Sequence, residues 1–225
     1  MNESPVAVII PVLNEALHLS GTLDALRAQG IERPIVVDGG SEDDSVRIAR
    51  AAGAVVLASP RGRAAQMNAG AAHATAANLL FLHADTALPA DAIALIAGAL
   101  QDPRTVGGCF RLRFDRRSAL LDFYGWMTRF ETAMTSFGDQ AYFVRAGAFA
   151  QVGGFPNWPL LEDVELRRRL KQLGLFVKLP APVVTSARRF THEGIVRRQL
   201  LNGGILVLYG LGLPPQRLVR WYRSK

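Results

Sequence analysis

Four short apolar runs, each followed by a loop and a helix-length segment, restrict this chain to a small set of architectures. They are Ala7 to Ile10, Ile35-Val36-Val37, Val55-Val56-Leu57 and Leu79-Leu80-Phe81-Leu82. None alternates with polar residues, so each reads as a strand covered on both faces. The segments between them carry helical spacing: Leu19, Leu23 and Leu26 share one face of the first, with Asn14 as its expected N-cap, and an Ala-rich helix is expected over Ala64 to Ala77. Ser41 and Asp44 resemble a capping box for the helix that Gly53 closes. Strands alternating with helices of about ten residues predict an α/β fold with a mainly parallel sheet.

The fourth run is the most informative. In Asn78 to Pro89 (NLLFLHADTALP) the apolar strand breaks off at His83-Ala84-Asp85. Ligands of open α/β sheets gather beyond the carboxyl ends of the strands, so Asp85 stands where a substrate or a metal ion would be met. A purely local role remains open, in which Asp85 starts a turn or caps a helix near Pro89.

The chain has 225 residues, 49% of them hydrophobic, enough for one domain with a substantial core. Cys109 is the only cysteine, which excludes an internal disulfide and a multi-cysteine zinc site and fits a cytoplasmic protein. Glu3 and Glu15 flank the first apolar run, so no secretory signal is expected. The late apolar run Ile205 to Leu213 falls short of the roughly 20 residues of a spanning helix. The net charge of +7 is confined to residues 186–225, where eight basic residues face Glu193 alone; the preceding residues carry 18 of each sign. Residues 1–185 are therefore read as the domain and 186–225 as a basic helical tail. Such a tail can meet phosphate, anionic lipid or nucleic acid, or can be a solvated face.

Later elements are less regular. Cys109 to Phe114 alternates as a half-exposed strand does, and Ser118 to Ser136 reads as a helix whose Phe123, Tyr124, Trp126 and Phe130 belong to the core rather than to a sugar platform. Gly153-Gly154-Phe155-Pro156 signals a turn. Leu160-Leu161-Glu162-Asp163 then opens a helix with Leu166, Leu170 and Leu173 on its apolar face. Acids in a first turn also suit the helix dipole, so Glu162 and Asp163 have a structural reading as well as a chemical one.

Taken in order, VIIPVLNEA, VVDGGSED, FLHADT and a Gly-Gly-Phe turn followed by LED resemble the family-2 glycosyltransferases of the GT-A fold, over about residues 6 to 180. Within that family the chain is most similar to small bacterial members associated with arsenosugar biosynthesis. The resemblance implies a Rossmann-like, mixed and mainly parallel sheet flanked by helices. It also implies a nucleotide-diphosphate sugar donor, usually a uridine diphosphate sugar, and inversion at the anomeric carbon. By position, Pro11, Asn14 and Glu15 would line the nucleotide pocket, Asp38 would bond the base, and Arg61, Arg63 and Asn68 would complete the pocket. Asp85 matches the second acid of the Asp-x-Asp metal motif and Asp163 the catalytic base. The first acid of that motif is replaced by His83, beside Ala84, and the second acid of the Asp-Asp-Gly-Ser segment by Gly39. His83 is a candidate metal or ribose contact, or a structural hydrogen bonder. His192, just after Arg188 and Arg189, is a candidate metal or diphosphate ligand.

The chemistry of transfer calls for the same residue types. A departing diphosphate gathers negative charge, which a divalent cation (Mn2+ or Mg2+) on one or two carboxylates offsets. An acceptor hydroxyl needs a carboxylate to take its proton. A sugar nucleotidyltransferase would instead show a Gly-rich loop after the first strand, where this chain has Pro11-Val12-Leu13-Asn14. A non-enzymatic module binding membrane or nucleic acid through the tail is the other reading. For the enzyme, the partners expected are the sugar nucleotide and a hydroxyl acceptor. No nucleic acid is expected; peripheral membrane contact through the tail and a homodimer stay open.

Overall fold

The computed structural model describes residues 5–188, 190 and 194–222; Arg189 and His192 lie outside the described residues. β1 (Val6–Val12), β2 (Ile35–Asp38), β3 (Val55–Ala58) and β4 (Asn78–Phe81) stand in the order β3-β2-β1-β4, every neighbouring pair parallel. Between them run α1 (Ala16–Ala28), α2 (Ser45–Ala51) and α3 (Arg63–His73). Alternate β1 residues feed opposite cores: Val8 and Ile10 pack with Leu19 and Leu23 of α1, while Ile9 packs with Val37, Met67 and Phe81. Both faces being covered explains why the four runs show no alternation.

The other half of the sheet is mixed. It comprises β5 (Thr86–Ala87), β6 (Thr105–Phe114), β7 (Tyr142–Arg145) and β8 (Leu175–Thr185), with α4 (Ala92–Ala99), α5 (Ala119–Met127), α6 (Ala146–Gln151) and α7 (Glu162–Leu170) between them. The order continues β4-β7-β6-β8-β5; β7 is antiparallel to both neighbours, β6 and β8 are parallel, and β5 is antiparallel to β8. Four of the seven pairings are parallel, so the sheet is mixed and mainly parallel, as expected.

Several local expectations are corrected. Strand β6 starts earlier than its alternating stretch and is buried from Thr105 to Phe110, because β7 and β8 flank it. Helix α5 stops at Met127: the hydroxyl of buried Thr128 donates to Gly125 O (2.6 Å) and accepts from Leu112 N (2.9 Å), turning the chain onto β6. Of the four aromatics on this segment only Tyr124 packs inward, against Phe114 and Phe190, whereas Phe123, Trp126 and Phe130 are exposed. Glu15, not Asn14, occupies the N-cap of α1, and Ser41 caps no helix.

After β8 come α8 (Ile195–Gly210), continuous through Gly203-Gly204, and α9 (Pro215–Tyr222). They fold back on the start of α7: Ile205 and Leu218 form one buried cluster with Leu161 and Val164. Tyr209 donates to Glu165 (3.1 Å) from the same direction. Among the described residues no helix is long and apolar enough to cross a membrane.

Candidate active site

The loops after β1 and β2 are stapled together. Asn14, held at φ 56°, donates its N–H to Ser41 Oγ (2.9 Å) and accepts from Glu42 N–H at Oδ1 (2.8 Å). Glu15 N–H reaches Ser45 Oγ (2.8 Å), and Ala16 N–H reaches Asp43 (3.0 Å). The carboxylate of Asp38 accepts the N–H groups of Gly40 and Ser41, closing a tight turn. Pro11 sits opposite Val37 in the β1–β2 register. Beneath the loops buried Gln66 donates to Val12 O and to Val37 O, both at 2.8 Å, and so bridges the ends of β1 and β2. A Cβ on Gly39 would lie 3.0 Å from the Gln66 amide. Glycine replaces the motif's second acid here because Gln66 fills that space.

Asp85 lies at the seam between the two halves. Next to it β5 pairs with the end of β8, and the Thr86 and Thr185 hydroxyls meet at 3.0 Å. That pairing brings Arg188, three residues past β8, over the acid: Arg188 Nη2 is 3.4 Å from Asp85 and 2.5 Å from Glu15 Oε1. The other Glu15 oxygen, Oε2, is buried without a hydrogen-bond partner. Ala84 is buried and its carbonyl accepts from Thr22 (2.7 Å), fixing the loop on α1. His83 is half-buried beside it. A depression of about 240 Å3 opens on Asp85, with His18, Asp115 and Ser186 in its walls.

Asp163 enters from the mixed half. Leu161 takes a left-handed conformation (φ 64°) at the mouth of α7, which turns Asp163 toward the one-turn helix Gly138–Gln140. Its carboxylate accepts Gly138 N–H (2.5 Å) and Val164 N–H (2.8 Å). Two further acids crowd it. Burial, then the charge of Asp163, pushes the Asp139 carboxyl up to about 6, although Arg63 and Lys178 pull the other way. Asp85 adds to the upward push, so Asp139 lies within the field of both acids. Glu162 is also pushed up, by burial first and Asp163 second. Arg63 Nη1 lies 3.7 Å from Glu162; burial weakens this guanidinium's proton affinity, but Glu162, Asp163, Tyr222 and Asp139 together more than offset that.

The fold thus gathers Glu15, Asp85 and Arg188 in one group and Arg63, Asp139, Glu162 and Asp163 in another, with Asp139 linking their fields. Asn68 is placed differently: its amide donates to Phe155 O (2.8 Å) and accepts from Phe155 N (3.0 Å), so both ends hold the Gly-Gly-Phe turn. Arg61 is exposed on the loop before α3. Sequence reasoning missed Gln66 and Asp139. The buried oxygen Oδ1 of Asp139 has no hydrogen-bond partner, and its only signal in the sequence is an acid in a glycine-led turn between apolar segments.

A parallel half-sheet whose loops end in acids, joined to a mixed half that supplies another acid at a helix start, is the GT-A arrangement. Residues 7–151 match the family described as Glycosyl transferase family 2, more than half of the chain, and the chain belongs to that family of enzymes. It is accordingly a family 2 glycosyltransferase. Among solved structures it is similar to the mannosyltransferase PcManGT from Pyrobaculum calidifontis in complex with GDP-Man and Mn2+. That match has 21% identity and a TM-score of 0.68, covering 88% of this chain and 62% of that one. TarS of S. aureus matches at 15% identity and a TM-score of 0.67, covering 80% and 36%. Glucosyl-3-phosphoglycerate synthase from Mycobacterium tuberculosis, in complex with Mn2+, uridine-diphosphate and glucosyl-3-phosphoglycerate, matches at 17% and 0.66, covering 93% and 80%. At these identities the likeness is one of fold. The chain spans less than two thirds of the first two, and no curated protein matches it.

Proposed function

We propose that the protein is an inverting glycosyltransferase that moves a sugar from a uridine diphosphate donor to a hydroxyl acceptor, with Asp163 as general base. The observation that carries this reading is the position of Asp163. One backbone N–H at the mouth of α7 and one from the Gly138–Gln140 turn fix it, and its charge and that of Asp85 both act on Asp139. Held there, the carboxylate accepts the acceptor's hydroxyl proton while that oxygen bonds to the anomeric carbon and the carbon–diphosphate bond breaks on the opposite face. Inversion follows from that single displacement.

On the donor side, the stapled loops around Asn14 and Asp38 form a preset wall for the nucleotide, with Pro11 at its base. Arg188, now shared by Glu15 and Asp85, and Arg63 on α3 are the cations that would meet the diphosphate. Asp85 fits a divalent cation, Mn2+ or Mg2+: it is a hard oxygen ligand with an ion pair as long as 3.4 Å, and the buried, unpartnered Glu15 Oε2 lies by the same arginine. Among the described residues no three His, Cys, Asp or Glu side chains are gathered as a metal cage. Such ions commonly take one or two carboxylates and complete their shell with phosphate and water. When bound, the ion would offset the charge of the departing diphosphate.

The test is Asp163→Asn assayed with uridine diphosphate sugars. Turnover should fall by roughly 10²–10⁴-fold, the usual contribution of a general base, while calorimetric donor affinity stays within about twofold. Full turnover in the variant would remove Asp163 from the role.

A further inference from the structure

Thirteen large hydrophobic side chains are exposed among the described residues, and their distribution is uneven. Five of them, Leu120, Phe123, Trp126, Phe130 and Met134, follow α5 and the loop after it. Four more, Val196, Leu200, Val207 and Leu211, recur at steps of four, seven and four along α8, which places them on one face of that helix. Helices α5 and α8 pack against each other, so the two stripes belong to neighbouring elements.

The aromatics of α5 pack on one another at the surface. Phe123 and Trp126 stack at 5.9 Å with an interplanar angle of 14°, and Phe130 meets Trp126 edge-on at 5.7 Å. A shallow depression of about 390 Å3 lies against Phe123 and Trp126. The flanking charge is net positive: Arg116, Arg117, Arg129 and Arg197 are exposed around the stripes, against exposed Asp115 and Asp122 and a part-exposed Glu131 that pairs with Arg167 and Lys171. The guanidinium of Arg129 lies 4.3 Å from the centre of the Trp126 ring. Aromatic side chains with cationic neighbours on an amphipathic helix suit a boundary between headgroups and acyl chains.

We propose that the α5 and α8 stripes form a docking face for an anionic lipid bilayer. Charge decides between a bilayer and a second copy of the chain. A two-fold dimer through this face would set like-charged arginine rims against each other, whereas anionic headgroups complement them. The proposal is independent of the transfer reaction and of Asp163. It also differs from contact through the basic tail alone, because its aromatic half belongs to the catalytic domain.

The experiment is flotation of the full chain with vesicles of phosphatidylcholine alone or mixed with phosphatidylglycerol. Three proteins are compared: the natural sequence, Phe123→Ser/Trp126→Ser, and Arg116→Glu/Arg117→Glu. The natural chain should float with the anionic vesicles and stay behind with the neutral ones. Each double variant should lower the bound fraction about tenfold, with thermal unfolding unchanged because these side chains are exposed. In a Trp158→Phe/Trp221→Phe background, Trp126 emission should shift to the blue on binding, both with natural arginines and, at saturating lipid, with the two arginine substitutions. Equal flotation of all three proteins would overturn the proposal, as would failure of the natural chain to float. A natural-chain dimer that the aromatic variant dissolves would give the face to a second copy, and capture of the natural chain by an oligonucleotide, lost in that variant, would give it to nucleic acid; either result overturns the proposal.

Discussion

Asp38 in the parallel half and Asp139 in the mixed half are treated in opposite ways. On the parallel side, Asp38 has its carboxylate satisfied by two N–H groups of its own turn, and Asn14 and Gln66 tie the surrounding loops to the strand ends. On the mixed side, Asp139 keeps a buried oxygen without a partner, and both it and Glu162 are displaced toward the protonated form. A satisfied network is a fixed shape for recognition; unsatisfied buried acids are free energy held for a ligand. Under the proposed function, the contrast sets a rigid donor wall against a more costly, chemically responsive acceptor wall.

The largest effect expected from probing that contrast is the loss of turnover in Asp163→Asn described above. Next is Gln66→Leu, which strips the donor wall of its bridge between Val12 O and Val37 O, although Val12 O keeps its bond from Gly39 N–H. It should cost roughly 1–3 kcal/mol in denaturant unfolding and weaken donor binding by calorimetry. An unaltered donor affinity would show that the wall does not depend on the bridge. Leu218→Ala removes a fully buried side chain behind α7 and should cost about 2–3 kcal/mol, lowering kcat more than donor affinity. The reverse pattern would place the tail's influence on the donor side.

Asp139→Asn tests the acceptor wall by pH. Because the folded-state value, about 6, lies above the usual 3.8, the folded protein binds more protons between those values, and this acid's contribution to stability falls as pH rises through that window. Relative to the natural chain, the variant should therefore gain little at pH 4 and on the order of 1–3 kcal/mol at pH 8, read as a widening difference in melting temperature. A constant difference across that range would refute the stored cost. Smallest of all, Arg47→Ala breaks only the exposed pair with Asp44 and should leave melting and donor binding unchanged.

Much of the parallel half was legible in the sequence because its signals are local. Unbroken apolar runs specify doubly covered strands, and the placement of Asp85 beyond β4 follows from strand polarity. The mixed half depends on contacts that sequence spacing does not carry. Thr128 ends α5 by bonding to Leu112 on β6, so helical periodicity up to Ser136 misleads. Asn68 resembled a pocket residue, yet its amide is engaged 87 residues away. Gln66 resembled one more polar position on an alanine-rich helix; its role requires both strand ends to be in place. The departure at Gly39 was visible, but its cause was not, since the neighbour that fills the space comes from α3.

The buried contact of Leu218 with Leu161 and Val164 also imposes an order in time. Chains emerge from the ribosome N-terminus first at about 5–20 residues per second, and Leu218 is added 55 residues after Asp163. Every nascent molecule therefore spends several seconds with β1 to β4 already made while the prop behind α7 has yet to be synthesised. During that interval Leu161 and Val164, at the start of α7, lack the cover that Leu218 gives them.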